Sequence, residues 1–220
     1  MIELLHCDCM TYMATCKDKQ FDLVVTDPPY FLPVNCYVGA RGKPYKKTVA
    51  DMSVLKGYFE KIFIELDRIT KDDGTFYVFC DAQSYPIFYQ VMYSFCKHVR
   101  TLIWDKKVSY NGYTWKHQHE IIAWGERNNT KRIPTGDGDI LKCRGVLQKD
   151  RLHPAEKPVE LLAQLILKSS NENDLIIDPF MGSASVMQVC LETNRNFVGC
   201  EIDKDRYDTA VKRFENHKMQ

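Results

Sequence analysis

Asp22-Leu23-Val24-Val25-Thr26-Asp27-Pro28-Pro29-Tyr30 and Asp174-Leu175-Ile176-Ile177-Asp178-Pro179-Phe180-Met181-Gly182-Ser183 share one layout. Each begins as a short apolar, β-branched run, the pattern of a strand buried on both faces. Each then breaks at an aspartate followed by proline, which cannot extend a hydrogen-bonded ladder. Both therefore read as parallel strands whose carboxyl ends carry polar turns. Open α/β sheets bind ligands at the carboxyl ends of their strands. Two such ends in one chain predict adjacent half-sites, one for a cofactor and one for a substrate.

The flanking segments supply the rest of an alternating α/β pattern. Ile2–His6 reads as a strand reaching Asp8, with a short helix near Met10–Cys16. Phe59, Ile62, Phe63, Leu66 and Ile69 recur at helical spacing from Tyr58, and Asp73-Gly74 is expected to end that helix before a strand at Thr75–Cys80. Ser84 is placed to cap a helix with Pro86 in its first turn, burying Ile87, Val91, Met92 and Phe95. Val99–Trp104 and Glu120–Trp124 read as strands of a hairpin with a long tip. Pro158 starts a helix carrying Leu161, Leu162, Leu165 and Ile166. Ser183–Asn194 follows as a helix, Phe197–Cys200 as a strand ending at Glu201, and a last helix is expected to bury Tyr207, Ala210, Val211 and Phe214. Residues 31–57 and 126–152 lack periodicity and read as long loops, which in compact domains are usually functional. Strands alternating with helices imply a mostly parallel sheet covered on both faces.

The 220 residues, 45% hydrophobic and 12% aromatic, fit one globular domain spanning 1–220. The apolar runs are of strand length, short of the roughly 20 residues that span a bilayer. The amino-terminal stretch has neither the basic nor the apolar region of a secretory signal, so a protein of the cell interior with no membrane partner is expected. Nine scattered cysteines without a Cys-x-x-Cys pair read as reduced thiols rather than a zinc site, and no metal is expected.

The net charge of +1 hides local excesses. Residues 31–57 hold Arg41, Lys43, Lys46, Lys47 and Lys56 against Asp51, and residues 97–119 hold Lys97, Arg100, Lys106, Lys107 and Lys116 against Asp105. Residues 126–152 add seven basic side chains to four acidic ones. Tyr37, Tyr45, Tyr110, Tyr113 and Trp115 lie among them. Basic stretches carrying aromatics suit a phosphate backbone and unstacked bases.

The two strand ends differ in chemistry. Gly182 allows a sharp turn, and Glu201 ends the next strand. A carboxylate roughly 20 residues past a glycine turn is the usual ribose acceptor of doubly wound folds. The turn is not Gly-x-Gly-x-x-Gly, so a nucleoside cofactor less anionic than a dinucleotide fits better. At the other end, the Asp27 carboxylate and the Pro28 carbonyl are two acceptors for an exocyclic amine, and Tyr30 offers a flat face to an aromatic ring. An aryl amine is a poor nucleophile because its lone pair is delocalised into the ring. Two acceptors on its hydrogens free that lone pair for attack on an electrophilic methyl.

At these residues the chain resembles the β group of amino DNA methyltransferases, which use S-adenosylmethionine. Asp27-Pro28-Pro29-Tyr30 resembles their catalytic motif and Asp178-Pro179-Phe180-Met181-Gly182-Ser183 their cofactor motif, in the permuted order of that group. His153-Pro154-Ala155-Glu156-Lys157-Pro158, Val198–Asp203 and His119-Glu120-Ile121-Ile122 resemble further segments of it. The resemblance implies a Rossmann-like, seven-stranded methyltransferase sheet with one antiparallel strand. It implies catalytic roles for Asp27, Pro28, Pro29 and Tyr30. It implies cofactor contacts for Asp8, His153, Lys157, Asp178, Pro179, Phe180, Gly182, Ser183, Glu201 and Ile202. S-adenosylhomocysteine would be the product. Ala184 stands where the family usually has glycine, adding a methyl expected to crowd the cofactor and weaken its binding.

An aspartate leading the catalytic motif is typical of adenine-N6 enzymes, and serine of cytosine-N4 enzymes. No Pro-Cys pair is present to supply the nucleophile of cytosine-C5 chemistry. The expected function is site-specific adenine-N6 methylation of DNA in a bacterial or phage-infected cell. Rival readings are cytosine-N4 or RNA methylation on the same fold, or a silent nucleic-acid-binding homologue. With no separate recognition domain visible, residues 31–57, 105–118 and 126–152 are expected to share target recognition. Relatives of the group often pair, which leaves a homodimer open.

Overall fold

Every residue of β2 (Phe21–Thr26) is buried, as a central strand covered on both faces requires. In the computed structural model, which describes residues 1–29, 52–110, 114–128, 136–146 and 156–219, this strand lies between β7 (Leu175–Asp178) and β3 (Thr70–Cys80), parallel to both. Beyond β7 lie β8 (Asn196–Glu201) and β1 (Ile2–His6), again parallel. Beyond β3 lie β5 (His117–Glu126), β4 (His98–Tyr110) and β6 (Ile140–Lys142). The sheet order is β1-β8-β7-β2-β3-β5-β4-β6. β5 runs antiparallel to both its neighbours, and β6 runs parallel to β4.

Alternate side chains of the central strands feed two cores, as a period of two dictates. Phe21, Val24, Phe76, Val78 and Cys80 face a layer formed by α1 (Cys9–Met13), α2 (Met52–Ile69) and α3 (Tyr85–Tyr93). Leu23, Val25, Tyr77 and Phe79 face α4 (Val159–Ser169), α5 (Ser185–Glu192) and α6 (Lys204–Lys218). Among the described residues, no helix is long and apolar enough to cross a membrane.

The structure corrects several expectations. Among the described residues the sheet has eight strands rather than seven. The added strand, β6, is three residues long and mostly exposed, so it carries no readable period; Trp104 Nε1 pins the chain just beyond it, donating to the Cys143 carbonyl at 2.7 Å. The segment expected as a loop over 31–57 is helical from Met52, and Leu55 is fully buried; residues 30–51 lie outside the described residues. The α2 helix ends at Ile69 and not at Asp73-Gly74. Gly74 serves a close approach instead: a Cβ there would meet the Thr70 methyl at 2.3 Å and the Asp22 carbonyl at 3.2 Å. The β2–β3 register shifts at this point, pairing Phe21 with Thr70 but Leu23 with Thr75. Ser84 has helical φ and ψ and makes no side-chain cap; Asp81 Oδ1 accepts the Ser84 N–H at 2.7 Å in its place. In the last helix Ala210 is fully buried, while Tyr207, Val211 and Phe214 are half-buried.

Candidate active site

The order β1-β8-β7-β2 sets four carboxyl ends side by side, and each ends in an acid: Asp8, Glu201, Asp178 and Asp27. Backbone and hydroxyl donors at the strand ends hold three of these acids in place. Asp8 caps α1, its Oδ1 accepting from the Thr11 N–H at 3.0 Å. Glu201 accepts with both oxygens, from Gly182 N–H at 3.1 Å and from Asp203 N–H at 2.8 Å. A carboxylate offers about four lone-pair sites, so two remain for a ligand. Asp178 Oδ1 accepts from the Thr26 hydroxyl at 2.8 Å and from Phe180 N–H at 3.0 Å. Burial pushes the Asp178 carboxyl up to about 7, against those two hydrogen bonds, and the nearby charges of Asp27 and Glu201 push the same way. The Thr26–Asp178 bond ties the end of β2 to the end of β7, whose motifs lie far apart in sequence.

Between β7 and α5 the chain turns through left-handed backbone, with φ of +53° at Gly182 and +59° at Ala184. A Cβ at Gly182 would meet nothing within 4 Å, so open space lies beside this backbone, as a ligand cradle needs. Ala184, by contrast, is 0% exposed and its methyl belongs to the core beneath α4–α6. The methyl points into protein and does not crowd the cofactor side. It also accounts for α5 beginning at Ser185 and not at Ser183, since Ala184 is left-handed. Left-handed backbone costs a non-glycine residue roughly 1–2 kcal/mol, and a buried methyl contributes about 0.8 kcal/mol. These terms nearly cancel. Ala184→Gly is therefore expected to change stability by less than about 1 kcal/mol and S-adenosylmethionine affinity by less than twofold, measured by thermal melting and calorimetry.

The end of β2 is held from the opposite face. Lys157, in the turn leading to α4, is 8% exposed, and its Nζ lies 2.6 Å from Asp27 Oδ2 and 3.3 Å from Glu120 Oε2. The ammonium also sits over the Phe79 ring, 5.0 Å from its centre. Burial alone would lower the Lys157 pKa; the carboxylates of Asp27 and Glu120 outweigh it and hold the pKa above the usual lysine value. Burial likewise opposes the charge on Glu120, but Lys157 and Lys106 together keep its pKa below the usual value. Lys106 Nζ donates to Glu120 Oε1, completing a row of alternating charges from β4 to the catalytic loop. Lys106, one of the basic residues of the 97–119 stretch, is turned inward onto this carboxylate.

Asp27, Lys157, Asp178, Phe180, Gly182 and Ser183 thus line one cleft. Pro28 and Pro179 are buried beside it, and Ile202 is exposed just beyond Glu201. Tyr30 and His153 lie outside the described residues. The sequence points to no site role for Glu120 and sets Lys106 in a recognition segment, not beside Asp27. Their one local signal is a charge at the margin of an apolar strand, and the register that pairs Trp104 with Glu120 cannot be read from either strand alone.

The fold and the paired strand ends define an α/β methyltransferase. The family model described as DNA methylase matches residues 21–212, and the chain belongs to that family. It is 26% identical over 240 residues to the Type II methyltransferase M2.DpnII of Streptococcus pneumoniae, covering 96% of this chain and 89% of that protein. The crystal structure of the M1.HpyAVI–SAM complex superposes with a TM-score of 0.73 at 20% identity, covering 97% of this chain and 99% of that one. The cytosine-N4-specific PvuII DNA methyltransferase superposes with a TM-score of 0.78 at 14% identity, covering 97% of this chain and 86% of that one. S-adenosylmethionine is the methyl donor of the family, and the residues here fit it. Glu201 has acceptor sites left for hydroxyls, Asp178 is a buried carboxylate beside the cleft, and Gly182 borders open space.

Proposed function

We propose that the protein methylates N6 of adenine in DNA, within a short recognition sequence, on a base flipped out of the duplex. The observation that carries this reading is the Asp27 carboxylate at the end of a fully buried strand, tied through Thr26 to the cofactor strand. Asp27 and the Pro28 carbonyl accept from the two hydrogens of the amino group, which localises the nitrogen lone pair. S-adenosylmethionine supplies an electrophilic methyl on a cationic sulfur. Flipping costs a few kcal/mol, and the protein's part is then positioning and electrostatic stabilisation. Glu201 would hold the ribose hydroxyls and Asp178 the cationic end of the cofactor. The leading Asp27 favours adenine over cytosine-N4, where serine is typical.

Recognition would fall to segments around the cleft. At the tip of the β4–β5 hairpin Lys107 and Lys116 are exposed and Trp115 is 88% exposed, a cation–aromatic group suited to phosphate and unstacked bases. Residues 31–57 and 126–152, mostly outside the described residues, would share this work within a single catalytic unit, and a second copy of the chain would add to the basic surface.

Incubation with labelled S-adenosylmethionine and unmethylated genomic DNA, followed by base analysis, is expected to yield N6-methyladenine in one short context. N4-methylcytosine in its place would overturn the choice of base. Label in RNA alone would overturn the choice of nucleic acid.

A further inference from the structure

On the reading that Asp27 receives the substrate amino group, one of its oxygens is already taken. Lys157 Nζ donates to Asp27 Oδ2 at 2.6 Å, and the ammonium is buried in the cleft wall. An amino group that takes this same oxygen competes with that donor. A buried ammonium cannot simply be left without a counter-charge, because removing one partner of a buried ion pair strands the other. The structure supplies a second partner. Glu120 Oε2 is buried and stands 3.3 Å from Lys157 Nζ, a longer ion pair than the one to Asp27. Its other oxygen is anchored by Lys106, which fixes the carboxylate on the β4–β5 hairpin.

We propose that Glu120 is a positioning residue with a second seat for the Lys157 ammonium. When the amino group of the base takes Asp27 Oδ2, Lys157 shifts its hydrogen bond to Glu120 Oε2. The arrangement has two effects on the reaction. Before the base arrives, Lys157 holds the Asp27 carboxylate oriented in a cleft that Asp178 also lines. Once the base is in place, the ammonium is neutralised by Glu120 and no longer competes for the acceptor. The attacking nitrogen gains positive charge during transfer, so a lysine still bound to Asp27 would oppose it. Phe79 lines the path, its ring face 5.0 Å from the ammonium in the first seat.

The test is a cycle of variants assayed for methyl transfer to DNA, with S-adenosylmethionine affinity measured on the same preparations. In Glu120→Gln the amide oxygen is held by Lys106 and the amide N–H₂ faces Lys157. The second seat is lost and the ammonium stays on Asp27. The expected result is a fall in kcat of about tenfold or more with cofactor affinity within about twofold of the wild type. Adding Lys157→Met to Glu120→Gln removes the competing donor, and kcat is expected to recover to at least about threefold above the single variant. A purely structural role for Glu120 gives no such rescue. Lys157→Arg, whose longer planar head spans both carboxylates at once and cannot change seats, is expected to slow transfer while keeping cofactor binding. A Glu120→Gln enzyme as fast as wild type, a double variant no faster than the single, or an unimpaired Lys157→Arg enzyme would each overturn the two-seat arrangement. A wild-type protein that leaves DNA unmethylated would instead overturn the proposed reaction itself.

Discussion

Replacing Asp27 by alanine is expected to reduce methyl transfer on the order of 10³-fold while S-adenosylmethionine still binds. The size follows from what is removed. A preorganised group facing charge that develops in the transition state is typically worth 10²–10³, and general acid–base assistance 10²–10⁴. On the proposed reading Asp27 is the main acceptor for the amino group. Asp178 is buried with one oxygen accepting from Thr26 and Phe180, and Glu201 is not among the residues lining the cleft of Asp27. The substitution also removes the nearer counter-charge of Lys157. Glu120 remains within 3.3 Å, so the stability loss stays below the 3–5 kcal/mol or so expected for a fully stranded buried charge. Single-turnover transfer assays beside calorimetric titration of the cofactor separate the two effects. Retained turnover would remove Asp27 from the reaction.

The second large effect is expected on binding. Glu201→Ala removes an acceptor shared by the Gly182 and Asp203 backbone N–H groups and, on the proposed reading, by the ribose hydroxyls. Hydrogen bonds to a charged group are worth about 1.5–3 kcal/mol each. Loss of the ligand bonds, together with a loosened turn at Gly182, is expected to weaken S-adenosylmethionine on the order of 10²-fold. Transfer at saturating cofactor should fall far less, because Glu201 does not face the amino group. An unchanged dissociation constant in a folded Glu201→Ala protein would rule out the ribose role.

Much of the site was legible in sequence because it hangs on buried parallel strands. The apolar runs before Asp27 and Asp178 gave both strand ends, and the glycine turn and following strand gave Glu201. Adjacency of the two ends was expected from the sheet class, and the Thr26–Asp178 bond shows how it is secured. What escaped was set by long-range register or by competition among local signals. Glu120 and Lys106 meet Lys157 through the β4–β5 pairing and the turn before α4, which no local pattern encodes. Ser84 looked like a cap, but Asp81 reaches the backbone first. Gly74 looked like a helix stop, but the close passage of β2 and β3 requires it. The strand β6 was hidden because three exposed residues at a sheet edge need no apolar alternation. The methyl of Ala184 looked like an obstacle until its burial showed which way it points.

The burial of β2 on both sides has a consequence for how the molecule opens. Its amides are paired to β3 and β7 and lie beneath helices on each face, so their hydrogens exchange with solvent chiefly through global unfolding. The three-residue β6 at the far edge needs only local opening. Opening at that edge therefore need not disturb the acid at the end of β2, which stays mounted on a strand paired on both sides and covered on both faces.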